Sequence, residues 1–199
     1  SVLVPARQPF GKSPVQTLFT DPDRAVDADP LAPVVPASSA TILGKVTRRA
    51  TERVVAAFLR PCEVRAFIEL TKLGQASREG ALLIGVDCAG RVETTDYVRK
   101  YSDISKIDTS VLQGVHDGTI EVVDACASCL TPVAENVDLR LQVIGLDWSR
   151  ELRLEALTAA GEEALDQLEL TTVVEANLER DNAIARIFER HSEHREKTL

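Results

Sequence analysis

The sequence has little of what nucleic-acid-binding proteins require. Aromatic residues make up 4% of its 199 residues, and the formal net charge is −8. Proteins that bind nucleic acid neutralise phosphates with clustered Lys and Arg, and many stack bases on aromatic rings. The densest basic cluster is small. It consists of Lys45, Arg48, Arg49 and Arg53, and the acidic Glu52 lies within the same segment. These shortages predict that nucleic acid is not a partner.

Long apolar runs are also missing. Runs such as Val54–Leu59 and Ala81–Ile84 are far shorter than the roughly 20 residues that a membrane-spanning helix needs. No basic and then apolar leader opens the chain, and the absence of Met indicates that Ser1 follows a processing boundary. We therefore expect a cytoplasmic protein without a transmembrane segment, in which thiols stay reduced.

The apolar residues that are present predict an α/β protein. Two continuous apolar runs, at 53–60 and Ala81–Val86, are typical of strands buried on both faces of a parallel sheet. Between them, Pro61 predicts the start of a helix over Cys62–Leu73, with Gly74 as its C-cap. This strand, helix and strand form a crossover unit.

The segments before and after this unit are less regular. Pro-rich sequence over the first forty residues predicts an irregular lead-in with a short strand at Val2–Val4. A helix is expected after Ser38 or Ser39, over 41–50, and a shorter one at 96–101. Apolar residues over Thr119–Asp124 predict a third strand.

Alternating apolar and polar residues then predict an antiparallel hairpin. Its strands are Val137–Val143 and Leu152–Ala156, with a turn near 147–149. The chain from Gly161 on is predicted to be helical, and the polar tail after Phe188 to fray or to dock on a partner. We expect a mixed, mainly parallel sheet with flanking helices in a domain over 1–160, followed by a helical segment over 161–199.

Cysteines follow each of the three predicted buried strands. Cys62 follows the first, Cys88 the second, and the C-x-x-C pair Cys126 and Cys129 the third. Parallel strands would bring all four thiols to the carboxyl edge of the sheet, where ligands bind in open α/β proteins. Four thiols suffice for one metal site, and the alternatives are an iron–sulfur cluster, a structural zinc, two unrelated pairs or scattered core cysteines. The wide separation of Cys62 and Cys88 favours a cluster over a zinc knuckle.

Four segments of the chain also resemble a known family, as the order of their motifs shows. They are Leu59–Ala66, Leu83–Cys88, Cys126–Cys129 and Val143–Gly145. Together they are similar to the beta subunits of coenzyme F-420-reducing hydrogenases and dehydrogenases, over roughly 2–147. The resemblance implies one [4Fe-4S] cluster bound by Cys62, Cys88, Cys126 and Cys129, with FAD beside it.

The same resemblance implies a function. Electrons would pass between a deazaflavin-type hydride carrier and other redox subunits, such as hydrogenase, formate dehydrogenase or ferredoxin-like proteins. The Gly-rich segment that helps hold the flavin in this family has no counterpart before Val2. We therefore expect FAD to bind fully only with a further segment or a partner. The alternative function is a non-redox interaction module with a structural zinc site formed by the same four cysteines.

The residues expected at the flavin pyrophosphate lie at the start of the first helix. Small hydroxyl side chains at a helix N-terminus can meet phosphate, with a Lys one turn on. These residues are Ser38, Ser39, Thr41 and Lys45. An ordinary N-cap is the alternative interpretation of the same residues.

Two other features are weaker. Residues 6–13 match the loose form of a phosphate-binding loop, but Pro9 within the loop and Pro14 behind it oppose that interpretation. His191 and His194 lie in the polar tail and are predicted to be solvated, while His116 is predicted in a turn.

Overall fold

The computed structural model describes residues 1–9, 11–48, 54–100, 109–148, 150–173 and 177–198. Several predicted features extend beyond the described ranges. The first helix is predicted to end at 49–50, the first buried strand to start at 53 and the short helix to end at 101. The predicted turn includes 149, and the predicted C-terminal helical segment includes 174–176. Arg49 and Arg53 of the basic cluster and the neighbouring Glu52 lie outside these ranges too.

A six-stranded mixed sheet forms the centre of the fold. Its strands are β1 (Val2–Ala6), β2 (Val15–Phe19), β3 (Val55–Leu59), β4 (Ala81–Val86), β5 (Leu139–Gln142) and β6 (Arg153–Ala156). They lie in the order β2-β1-β3-β4-β5-β6. The central strands β1, β3, β4 and β5 are parallel, whereas β2 and β6 pair antiparallel at the two edges. The predicted fold class is confirmed, including the C-terminal antiparallel hairpin of β5 and β6.

Helices flank this sheet. They are α1 (Ser39–Thr47), α2 (Pro61–Lys72), α3 (Thr94–Lys100), α4 (Thr109–Asp117), α5 (Asp124–Ala127), α6 (Ala159–Asp166) and α7 (Leu178–Thr198). Pro61 begins α2 as predicted, because a proline at the first helical position loses no hydrogen bond. Gly74 follows the end of α2 with φ +68°, which favours glycine. No helix in the described ranges is long and apolar enough to cross a membrane.

Three apolar clusters make up the interior. The first lies between the sheet and helices α1 and α2, around Leu3, Leu43 and Phe67. The second lies beyond the strand ends, where Ile187 of α7 packs with residues of α3 and α4. The third covers the other face of the sheet, with Ala164 of α6 packed against it. The C-terminal helices therefore pack on the first 160 residues, while the expected domain boundary stays a prediction.

The lead-in is more regular than expected. Val15–Phe19 forms an antiparallel strand beside β1, and a 3-10 helix follows at Pro22–Asp27. Proline did not prevent this, since Pro14 lies just before β2. Pro5 lies in a part of β1 that pairs with β2 but not with β3. Edge positions of this kind tolerate a missing N–H group.

The expected strand at Thr119–Asp124 is wrong. The amides of Thr119 and Ile120 both donate to the carbonyl of Gly114, and these bonds close the C-terminal end of α4. The amide of Val123 donates to the carbonyl of Arg91. The side chains of Ile120 and Val122 pack into the second cluster. These apolar residues therefore belong to a loop that covers the second cluster. The strand that pairs with β4 is β5.

The polar tail does not fray, because α7 continues to Thr198, and docking of this tail on a partner stays a prediction. His191, which was expected to be solvated, is 3% exposed and packs on its own chain. His194 is half-buried, and His116 lies in the last turn of α4. The positions that α7 buries, Arg180, Ile187 and His191, recur at helical spacing, so a buried cation and a buried imidazole complete its apolar stripe.

Candidate metal centre

The four cysteines lie on three segments near the carboxyl ends of neighbouring strands. Cys62 is the second residue of α2, directly after β3, and its side chain is exposed. Cys88 follows β4 and is half-buried. Cys126 lies in α5 and Cys129 just after it, so this pair reaches the site on a short helix and not on a third strand. A thiol in the first turn of a helix lies near its backbone amides, which favours the thiolate.

Hydrogen bonds of the backbone join these segments to one another. The amide of Cys88 donates to the carbonyl of Pro132, 2.8 Å away, in the loop that follows Cys129. The amide of Val123, just before α5, donates to the carbonyl of Arg91 at 3.0 Å. The loops after β4 and around α5 are thus held side by side.

The thiols lie within electrostatic reach of one another. Although Cys62 is exposed at the surface, the protein atoms around its sulfur remove enough water to raise the pKa of the thiol, and charge on Cys88 or Cys129 raises it further. Burial also raises the pKa of Cys88, to which Cys126 and Cys129 contribute. The pKa of Cys126 is raised by burial and by Cys62. Each of the four thiols therefore interacts with at least one thiol from another segment.

Cys129 has a different environment. Burial by itself raises the pKa of its thiol, but hydrogen bonds with Thr131 and the Arg65 guanidinium outweigh burial and bring the pKa below its usual value. The Cys129 sulfur lies 3.4 Å from the Thr131 hydroxyl oxygen. Donors of this kind stabilise a thiolate, which is the form that binds metal.

Three arginines surround the thiols. Arg60 lowers the pKa of Cys62, Cys88 and Cys126, although burial dominates at each of these thiols. Arg91 acts on Cys126 and Arg65 on Cys129. A protein with net charge −8 thus places positive charge where thiolates would need it. From the sequence, surface pairing of Arg60 and Arg65 with Glu63 or Glu69 is an equal alternative, and Arg91 carries no recognisable signal.

Helix α7 reaches the site at two points that sequence reasoning missed. Arg180 forms a bidentate ion pair with Asp87, the residue before Cys88, with 3.1 Å between Nη2 and Oδ1. The Nδ1 atom of His191 lies 2.7 Å from the carbonyl oxygen of Cys129. The available signal was Asp87 itself, because a carboxylate at the end of a buried strand requires a partner.

The donor chemistry fits an iron–sulfur cluster. Four thiols and nearby positive charge are what such a cluster requires of a protein. Within the described ranges, no three Cys, His, Asp or Glu side chains are so placed that they could hold a metal ion. Cys62, Cys88, Cys126 and Cys129 therefore remain predicted ligands.

The predicted flavin residues lie at the N-terminus of α1, beside that of α2. Glu63 joins the two helices, since its carboxylate accepts from the amide of Ser39 at 2.6 Å and from that of Arg60 at 3.0 Å. Ser38 makes no capping side-chain hydrogen bond, and the Ser39 hydroxyl is buried without a partner in the described ranges. Thr41 and Lys45 are exposed. FAD binding at these residues stays a prediction. A phosphate bound there would lie close to the negatively charged carboxylate of Glu63.

Comparison with known proteins was made on sequence and on structure. No protein-family model matches the chain, and no curated protein does. The chain is similar in structure to a chain of the F-420-reducing [NiFe] hydrogenase complex from Methanosarcina barkeri, solved as a xenon derivative. The TM-score is 0.65 at 14% sequence identity, and the match covers 99% of this chain and 77% of that one. At this identity the likeness shows a shared fold.

Proposed function

We propose that the chain is an electron-transfer subunit of a multisubunit oxidoreductase and holds one [4Fe-4S] cluster through Cys62, Cys88, Cys126 and Cys129. The observation that carries the proposal is the position of the four thiols on three segments near the carboxyl ends of β3 and β4, two of which are joined by backbone hydrogen bonds. The order of the cysteine motifs and the fold shared with a chain of a hydrogenase complex support it. Electrons would pass between a deazaflavin-type hydride carrier and hydrogenase, formate dehydrogenase or ferredoxin-like subunits.

The chain's own residues have separate tasks in this function. The cluster, when bound, supplies a carrier for one electron at a time. The cysteines bind it, and the arginines around them offset the negative charge of four thiolates. Arg180 and His191 hold the loops of Cys88 and Cys129 in place through Asp87 and the Cys129 carbonyl. FAD belongs to the proposal as well, at the N-terminus of α1, with Ser39 as the free hydroxyl.

The rival function is an interaction module with a structural zinc, and metal content separates the two. Anaerobically purified protein is analysed for iron, acid-labile sulfide, zinc and flavin. We expect iron and sulfide in equal amounts and a brown colour that dithionite bleaches. A colourless protein that contains zinc would support the interaction module, and a protein without metal would exclude both.

The ligand set can be tested by one substitution and a control in the same site. Cys88→Ser is expected to abolish the iron signal and to lower the thermal midpoint, because a ligand between two loops is lost. Ser128→Ala, between Cys126 and Cys129, is expected to leave iron content unchanged. Full iron content in Cys88→Ser would show that the four-cysteine site is wrong.

Flavin binding is tested by titrating FAD into the isolated chain and following flavin fluorescence. We expect weak quenching that becomes stoichiometric only with a partner subunit. Tight quenching by the chain alone would show that its flavin site is complete.

A further inference from the structure

The guanidinium of Arg60 has one buried N–H donor without a hydrogen-bond partner in the described ranges. Arg60 precedes α2 by one residue, and its Nη2 donates to the carbonyl of Ala32. Its Nη1 is buried and has no hydrogen-bond partner in the described part of the chain. A buried donor of a charged group is costly to leave unpaired, so the position of Nη1 calls for an explanation.

Arg60 itself lies beside the cysteines. Arg60 lines a small cavity at the carboxyl ends of the strands together with Cys88, Gly90 and His116. Arg60 is also two residues before Cys62, so it borders thiols of two segments. Its charge acts on Cys62, Cys88 and Cys126, which is a wider reach than that of Arg65 or Arg91.

The carboxylates nearby do not satisfy the Nη1 donor of Arg60. Within the described ranges no ion pair joins it to a carboxylate, whereas Arg91 is paired with Glu93 at 3.8 Å. Glu63 directs its two oxygens to backbone amides of Ser39 and Arg60. Asp29 lies near enough to interact with Arg60, but its Oδ1 is itself without a hydrogen-bond partner there. Arg65, by contrast, is exposed, and water screens its charge.

We infer that Arg60 sets the reduction potential of the group held by the four cysteines, by donating a hydrogen bond from Nη1 and by offsetting its negative charge. The inference rests on the proposed cluster. A buried positive charge stabilises the reduced form, which carries one more electron, and hydrogen bonds to cluster sulfurs act in the same direction. Arg60 is thus a tuning residue that is not itself a metal ligand.

The test is the midpoint potential of Arg60→Gln, followed by absorbance or by the paramagnetic signal of the reduced cluster. Glutamine removes the charge but keeps an amide that can donate to Ala32. We expect reduction to become about tenfold less favourable, a shift of about 59 mV to lower potential for a one-electron couple. Arg60→Lys, which keeps the charge, is expected to recover most of the shift.

Arg24→Gln is the matched control, because it removes the same charge from an exposed position on the 3-10 helix. Its potential is expected to equal that of the wild type. Iron in the wild type with an unchanged potential in Arg60→Gln would overturn the inference and leave the proposed function intact. Wild-type protein without iron would overturn both. Loss of iron from both Arg60 variants would assign Arg60 a purely structural role and also overturn the inference.

Discussion

Two buried carboxylates, Asp138 and Asp87, lie at opposite ends of the strands β4 and β5. Asp138 directly precedes β5, at the amino end, and Asp87 directly follows β4, at the carboxyl end. Asp138 accepts from the amide of Leu83 at 2.7 Å, from Arg78 at 2.5 Å and from the Thr158 hydroxyl at 2.9 Å. These bonds join β4, β5 and the start of α6.

Asp87 also joins separate segments of the chain through hydrogen bonds, and the arginine paired with it is more deeply buried. Its Oδ2 accepts from the amide of Val143 at 3.1 Å and from that of Ile144 at 3.4 Å. Its partner Arg180 is 8% exposed, whereas the Arg78 side chain that pairs with Asp138 is 40% exposed. Gly145 makes this contact possible, because a Cβ there would lie 2.5 Å from the Cα of Arg180.

The two ends differ in what surrounds each carboxylate. Asp87 lines a small cavity with Arg60 and His116, whose Nη1 and Nε2 atoms are buried and lack a partner in the described ranges. Asp138 and Thr158 use their polar atoms on each other and on the backbone. Unpaired buried groups tend to concentrate where a protein binds something. The polar groups at the amino end of the strands therefore stabilise the fold, whereas the unpaired polar groups at the carboxyl end are available to bind a ligand.

The largest effect is expected from Asp87→Ala. It leaves the buried Arg180 guanidinium without its partner and two backbone amides without an acceptor. We expect the free energy of unfolding to fall by about 4 kcal/mol, as urea denaturation would measure. A loss below about 1 kcal/mol would show that water enters and solvates Arg180.

The pH dependence of stability tests the unpaired groups. Burial lowers the pKa of His116 to about 4, with Asp117 raising it and Arg190 lowering it. Between pH 6.5 and pH 4 the unfolded state binds a proton that the folded state does not, so stability is lost as pH falls. Relative to His116→Phe, the wild type should lose about 3 kcal/mol of unfolding free energy from pH 7 to pH 4.

Asp29 supplies the opposite sign as a control. Burial raises its pKa to about 6, although Arg7 and the amide of Leu31 lower it. Its contribution to stability is therefore present at low pH and is lost as pH rises through about 6. Relative to Asp29→Asn, the wild type should lose stability towards neutral pH. Curves of the same sign for His116 and Asp29 would contradict this account.

Asp138→Ala is expected to cost less than Asp87→Ala. Arg78 can turn to water when its partner is removed, so the main penalty is the unpaired amide of Leu83. We expect a loss of about 2 kcal/mol in the same urea experiment. An equal cost for the two substitutions would remove the difference between the strand ends.

Glu63→Gln has the smallest expected effect. Gln keeps one acceptor for the two helix N-termini but loses the negative charge that their dipoles favour. We expect a loss of about 1 kcal/mol in thermal unfolding. Glu69→Gln is the control, because this residue of α2 is exposed and pairs only with Lys72 in the described ranges, so its cost should be below about 0.5 kcal/mol.

Local sequence patterns predicted the centre of the fold well. β4 runs from Ala81 to Val86 as expected, because a continuous apolar run of this length is typical of a strand buried on both faces. Pro61 and Gly74 likewise marked the two ends of α2. The pattern misled at Thr119–Asp124, where apolar side chains pack under α7 without a place in the sheet.

The sequence by itself determined the central unit of β3, α2 and β4 and the hairpin of β5 and β6, since these depend on neighbours a few residues apart, and it ordered the cysteines along the chain. Tertiary structure decided the rest. Arg180 lies 93 residues from Asp87, and His191 lies 62 residues from Cys129. No local periodicity connects such pairs. A buried Arg and a buried His resemble solvated residues of a polar helix until the fold supplies their partners, because burial and hydrogen bonding are properties of the packed molecule.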